Sequence, residues 1–267
     1  MRDGLRLYCR YIGISMRSQM QYRSSFILMS LAQLLSSGIE FLAVWALFDR
    51  FGSLRGWTLP EVALFYAVAN TAFAVGDATA RGFEEVGTLI KSGDFDRILL
   101  RPRSTALQIA GQEITLRRVG RLVQALVVLV WAISALDLSW DLPRLALLLA
   151  TLFSCSCFFY GLFVLQGVLS FWTTETLEFM NAVTYGGVQT AQYPLSIYQP
   201  WLRRFFTVIL PMGCVTYFPI LAILGRPDPL GTPVFFQWLS PLAGVAFVLV
   251  TLRLWQFGVR QYCSTGS

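Results

Sequence analysis

The sequence predicts an all-α integral membrane protein of six transmembrane helices. An N-terminal interfacial helix, a cytoplasmic helix between the second and third spans and an outer re-entrant hairpin complete it. Three observations carry this prediction. Apolar stretches of about 20 residues, the length that crosses the hydrocarbon of a bilayer, recur along the 267-residue chain. Only 13% of residues are charged and 55% are hydrophobic, with a mean hydropathy of +0.59, whereas a soluble domain carries about 25% charged residues. The net charge of +6 rests on 20 arginines and one lysine, most of them in segments flanking the apolar runs. That distribution marks topology and headgroup contact rather than nucleic-acid binding.

The elements follow in order. Over residues 1–23, Arg6, Arg10 and Arg17 fall on one stripe at 100° per residue, and Leu5, Tyr8, Ile12 and Met16 form another. This reads as a helix lying along the cytoplasmic interface, although a helix covering a soluble partner has the same pattern. No short charged region with a cleavable apolar stretch precedes it, so the first apolar run is expected in the mature protein. Spans are expected at about 26–48, 59–80, 119–136, 145–172, 177–192 and 234–257, the third extended backwards by a helix-compatible stretch from Ser104. All belong to a single membrane domain over 1–267.

Arginine placement sets the orientation. Arg2, Arg6, Arg10, Arg17 and Arg23 put the N-terminus in the cytoplasm, and Arg81, Lys91, Arg97, Arg101, Arg103, Arg117, Arg118 and Arg121 return to that side two spans later. The stretches 49–58 and 137–144 carry few basic residues and fit outside, and Arg260 fits inside. An even number of spans is therefore required. For the fifth, either 177–192 crosses and 194–232 folds back on the outer side, or 205–224 crosses. Tyr193-Pro194, Pro200, Pro211 and Pro219 favour the first; Arg203 and Arg204 count against it.

Several chemistries are excluded. Histidine is absent, so histidine triads, metalloprotease motifs and histidine proton relays are too. Cys9, Cys155, Cys157, Cys214 and Cys263 fit no zinc or haem spacing and read as small apolar residues. A P-loop needs glycines one and six residues before its lysine, whereas Lys91 has Ile90 and Glu85 there. No cofactor is expected on this chain, and ATP hydrolysis, if it powers the molecule, is expected to come from elsewhere.

The connector 83–103 is the chain's most distinctive polar segment. It mixes acidic and basic residues with Val86, Leu89, Ile90, Phe95, Ile98, Leu99 and Leu100. A cytoplasmic stretch this apolar calls for a cover. A short helix laid into a groove on a soluble partner supplies one, and so does the membrane surface. The run Lys91-Ser92-Gly93-Asp94-Phe95-Asp96-Arg97-Ile98-Leu99-Leu100-Arg101-Pro102 resembles an element of ABC-2-type transporter permeases, in particular a subgroup of bacterial permeases of about this length. Tyr22-Arg23, Phe171-Trp172 with Glu175, Tyr193-Pro194, Leu210-Pro211 and Tyr217-Phe218-Pro219 fall in the order that resemblance expects. The resemblance implies a non-catalytic six-span permease of the bacterial inner membrane, cytoplasmic at both ends. It also implies a second permease copy or sister permease, two separate ATP-binding subunits and ATP-driven export. On this reading the residues that couple to the ATP-binding subunit are Glu85, Leu89, Lys91, Gly93, Phe95, Asp96, Leu99 and Arg101.

Charged groups inside spans are costly, about 2.5–3.5 kcal/mol on insertion scales, and so mark function. Glu40 lies about 12 Å from the expected outer end of the first span and Asn70 about 15 Å into the second, so the two meet at similar depth. Both are candidates for the substrate path, with Gln189 and Tyr193; a plain interhelical hydrogen bond is the alternative. Asp77 and Arg81, one turn apart, read as a local ion pair. Glu175 and Glu178 sit at a cytoplasmic turn. Gln166, Asn181 and Gln192 either bond between helices or line a cavity. Tyr193, Pro194 and Tyr198 are candidates for an outer gate. The expected cargo is an amphipathic drug, lipid-like molecule or glycoconjugate, and a hydrophobic cation would suit Glu40 and Asp77 if both face the cavity. The competing reading is an ion-coupled transporter using Glu40 or Asp77, against which stands the lack of an internal repeat. A membrane scaffold or intramembrane enzyme comes third.

Overall fold

In the computed structural model the described residues are 13, 14, 17, 21, 23–112, 119–173, 176–229 and 231–263. Most of the expected interfacial helix, Cys9 and Glu175 lie outside them. Every described element is helical apart from one isolated bridge between Leu54 and Trp57.

The first helix, α1 (Arg23–Phe51), extends the expected span at both ends. Arg50 in its last turn faces the negative end of the helix dipole, which favours the extension. The second, α2 (Leu59–Ala80), matches its expected bounds. Its start is set locally: the Thr58 backbone N–H and hydroxyl both donate to Glu61 Oε2, at 2.8 and 2.9 Å, and proline occupies the first turn, where no N–H is needed. Small residues at Ala63, Ala67, Ala69, Ala72, Ala74 and Gly76 let neighbours approach this helix closely, and it forms the centre of the bundle.

Beyond α2 the chain turns through a 3-10 segment (Arg81–Glu85) into the short helices α3 (Val86–Ser92), α4 (Phe95–Leu99) and α5 (Thr105–Gln112). The backward extension of the third span from Ser104 thus appears as a separate helix, and 113–118 are outside the described residues. Where the third and fourth spans were expected stand α6 (Val119–Ala135) and α7 (Leu142–Leu169). The fourth ends earlier than expected, leaving Phe171 and Trp172 in a turn. The helix α8 (Thr176–Ala191) follows.

Next come α9 (Pro200–Arg204), continued by a wide π turn to Ile209, and a second π turn (Gly213–Tyr217) leading into α10 (Phe218–Leu224). The two limbs meet at 85°. Leu210 is extended at the bend and Pro211 follows, which lacks the N–H to carry a helix through. Both ends of this region touch one loop. Trp57 Nε1 donates to Ser196 Oγ at 3.1 Å, Arg55 donates to Ile197 O at 3.0 Å, and Arg226 donates twice to Gly56 O at 3.1 Å. One loop thus holds both ends of this segment.

The expected last span, 234–257, needs correcting. It is two helices, α11 (Val234–Leu239) and α12 (Leu242–Gln261), parted at Ser240-Pro241. Pro241 has no N–H to bond back, so the helix breaks there and restarts. The freed Pro241 carbonyl accepts a hydrogen bond from the buried Ser154 hydroxyl of α7. Close contact of α7 and α12 follows, because Gly244 leaves no room for a Cβ against the Ser154 carbonyl. Among the described residues α1, α2 with its continuation to Ser92, α7 and α12 are long and apolar enough to cross a membrane, with the bent pair as a possible fifth; α6 is shorter, at 17 residues.

Candidate functional site

The connector is moulded onto the chain's own helix ends. The end of α3 is capped by Gly93 at φ 76°, a left-handed conformation that costs glycine nothing, and its N–H donates to Ile90 O at 3.3 Å. This turn sends α4 back beneath the bundle. Phe95 then enters a ring cluster, with centroids 4.9 Å from Tyr262, 5.4 Å from Phe171 and 6.3 Å from Trp255. Phe83 closes the cluster at 5.0 Å from Trp255. Polar bonds lock α5 against it: Trp255 Nε1 donates to Thr105 Oγ1 at 3.0 Å, and the Gln108 amide donates to Ile98 O and Arg103 O. The ends of α2, α7 and α12 are therefore joined through the connector's aromatic side chains.

The expected coupling residues divide by exposure. Glu85, Lys91, Leu99 and Arg101 are exposed, whereas Leu89, Gly93 and Asp96 are half-buried. Phe95, expected above on a surface offered to a partner, is fully buried in its own chain, and that expectation is corrected. An apolar residue in a connector shows that something covers it; here the cover is Phe171, Trp255 and Tyr262. The bare outer face instead carries Leu100, 84% exposed, beside Leu99 and Arg97. Asp96 faces Tyr262, and burial followed by this carboxylate pushes the Tyr262 hydroxyl above its ordinary value.

A second polar cluster lies within the bundle. Glu40 of α1 stands 3.8 Å from a guanidinium nitrogen of Arg121 on α6, and that guanidinium lies 5.1 Å from the Phe73 ring. The Tyr66 hydroxyl donates to Ser37 O at 3.0 Å, and Glu40, Arg121, Gln124 and Tyr193 all lie within electrostatic reach of it. Asn70 is wholly buried and donates to Tyr66 O, one turn back, at 2.9 Å. The structure thus gathers Glu40 and Tyr193 around Tyr66 with Asn70 on the next turn, and no hydrogen bond joins Glu40 to Asn70 among the described residues. Gln189 is exposed and apart from this group.

Arg121 and Gln124 were not singled out in the sequence as path residues. Arg121 counted there only as a topology charge, yet its place as the one charged residue of the run from Val119 to Ala135 was a readable signal. Asp77 pairs with Arg81 at 3.3 Å, as its spacing suggested, so neither intramembrane carboxylate stands free for a cationic cargo. Gln166 and Gln192 are buried, Asn181 is half-buried and Glu178 is exposed. Tyr198 donates to Thr190 O at 3.2 Å, bracing the turn after α8.

On the opposite face Arg226 stacks over Trp57 at 4.6 Å and pairs with Glu61 at 2.7 Å, fastening the end of the bent region to the start of α2. A membrane bundle with a firmly seated connector and a buried polar cluster is consistent with a transport component. Comparison with curated proteins and with solved structures gives no match. A family model described as ABC-2 family transporter protein matches residues 34–266, from within α1 to beyond the end of α12. The chain is therefore a multi-pass membrane transport component that belongs to the ABC-2 transporter family.

Proposed function

We propose that this chain is the permease subunit of an ATP-driven exporter of the bacterial inner membrane, with both termini cytoplasmic. It moves an amphipathic drug, lipid-like molecule or glycoconjugate through the interface with a second copy or a sister permease. Hydrolysis occurs in a pair of separate ATP-binding subunits. The observation that supports this best is the connector's two-sidedness. Phe83, Phe95 and Ile98 hold it rigidly on the ends of α2, α7 and α12, while Arg97, Leu99 and Leu100 remain bare. Motion imposed on the bare face is passed to three long helices at once, because packed aromatic interiors transmit displacement rather than absorb it.

The docking surface is accordingly Glu85, Lys91, Leu99 and Arg101 with Arg97 and Leu100, and Leu89, Gly93 and Asp96 shape its edge. Phe95 acts from beneath as the anchor. The six-span reading takes α8 as the fifth span and the bent α9–α10 region as an outer re-entrant hairpin, supported by the contact of both its ends with the loop 55–57. An ion-coupled mechanism finds no support in the carboxylates it would need, since Glu40 and Asp77 each face an arginine.

Reconstitution tests the proposal. Inside-out vesicles holding the chain with its ATP-binding subunit should accumulate an amphipathic dye when ATP is added, and vesicles holding the chain alone should not. Uphill accumulation by the chain alone would overturn it.

A further inference from the structure

A groove of about 480 Å³ runs between α1 and α6 on the outer surface of the bundle. Its walls include Leu34, Leu42 and Trp45 from α1 and Val127 and Trp131 from α6. Gly38 adds width, for nothing lies within 4 Å of where its Cβ would stand. One polar side chain enters this apolar space. Gln124 is 8% exposed; its side chain lies beside the Tyr66 hydroxyl, and its amide oxygen has no hydrogen-bond partner among the described residues.

One turn before it on α6, Arg121 is 7% exposed. Its only charged neighbour among the described residues is Glu40 at 3.8 Å, well beyond the roughly 2.7–2.9 Å of a charge-assisted bond, and its buried Nε is unpartnered. The face of Phe73 at 5.1 Å adds attraction but accepts no N–H in-line. A guanidinium has five donors, and burying it with so little compensation is costly. Arg121 also lies 14 residues before Ala135, about 21 Å from the outer end of α6, so a headgroup in the outer leaflet does not reach it.

We propose that this groove binds a single-chain lipophilic carboxylate drawn from the bilayer. The acid group lies on Arg121, hydrogen-bonded by the Gln124 amide, and the chain runs outward between Gly38 and Val127 towards Trp45 and Trp131. Charge complementarity to Arg121, which lies just beyond the groove's lining, and the order of residues along α6, cation, amide, then apolar wall, match a molecule with an acidic head and one tail. Leu34 to Trp45 spans about 16 Å of helix, enough for a long acyl chain. Glu40, whose side chain is 37% exposed, turns outward to release the guanidinium. The site stands independently of whether its occupant is exported.

Tryptophan quenching in detergent-solubilised full-length chain tests this, with dibromostearic acid and its methyl ester as probes. The acid should quench with an apparent affinity on the order of tenfold above the ester's, as one charge-assisted bond supports. Changing Trp45 and Trp131 together to Phe should remove the signal. Arg121→Gln should abolish the preference for the acid. Gly38→Leu, whose Cβ stands in open space, should weaken both probes. Glu40→Gln removes the competing carboxylate and should tighten the acid several-fold, a sign that a purely structural pair would not give. Equal quenching by acid and ester, a preference retained in Arg121→Gln, or no quenching by either would overturn the proposal.

Discussion

At the connector junction, Phe83, Phe95, Phe171, Trp255 and Tyr262 form a cluster in which every ring has a neighbour within 5.4 Å, centroid to centroid. At the seam of α1 and α6 there is an apolar groove, an ion pair at 3.8 Å and a glutamine whose amide oxygen is unpartnered among the described residues. The most apolar window of α1 is only 11% buried, against 83% for α2 and its continuation into the junction. A densely packed aromatic joint carries load without yielding, whereas a loosely filled seam with unspent polar groups can open or accept a guest. One region suits the transfer of force and the other suits recognition, and both lie along α2 and its neighbours.

The sharpest way to break this contrast is Phe95→Ala. Removing a fully buried ring should cost about 3–5 kcal/mol, read as a large fall in the melting temperature of the purified chain. A small fall would mean that the junction is no tighter than the seam. Next comes Gly120→Val in the seam. A Cβ there collides with the Ser30 carbonyl of α1, so the helices must separate, at a cost of about 1–3 kcal/mol. Spin labels on α1 and α6 should move apart, and unchanged spacing would show the seam to be looser than described. Glu40→Gln should cost less, about 1 kcal/mol, because the carboxylate is partly exposed and its bond to Arg121 is long. The smallest effect on stability belongs to Leu100→Asp, within about 0.5 kcal/mol for a surface change. Its effect on capture of the ATP-binding subunit should nevertheless be near-complete, and intact capture would remove Leu100 from the docking face.

Much of this architecture is legible in the sequence, for identifiable reasons. The bounds of α2 were readable because Thr58 and Pro60 mark its start and its run of small apolar residues admits no other structure. Asp77 and Arg81 were readable because helical spacing alone brings them together. Phe95 was misplaced because apolar character shows that a residue is covered without showing by what, and its cover lies 76 to 167 residues further along the chain at Phe171, Trp255 and Tyr262. The break at Ser240-Pro241 was hidden by averaging hydropathy over a window in which one proline changes little. Arg121 escaped notice because a basic residue near a span's inner end has an ordinary explanation as a topology signal. Its pairing with Glu40, 81 positions earlier, depends on how α1 leans on α6, and no local pattern records that.

The most direct test is site-specific photo-crosslinking in the assembled complex, with the probe placed at position 100 on the connector or at position 142 at the far end of α7. Leu100 and Leu142 are similarly exposed, at 84% and 79%, so accessibility alone does not separate them. A crosslink to the ATP-binding subunit from position 100 and none from position 142 is the predicted result. An intact complex that crosslinks from position 142 and not from position 100 would contradict the proposed entry of force at the connector junction.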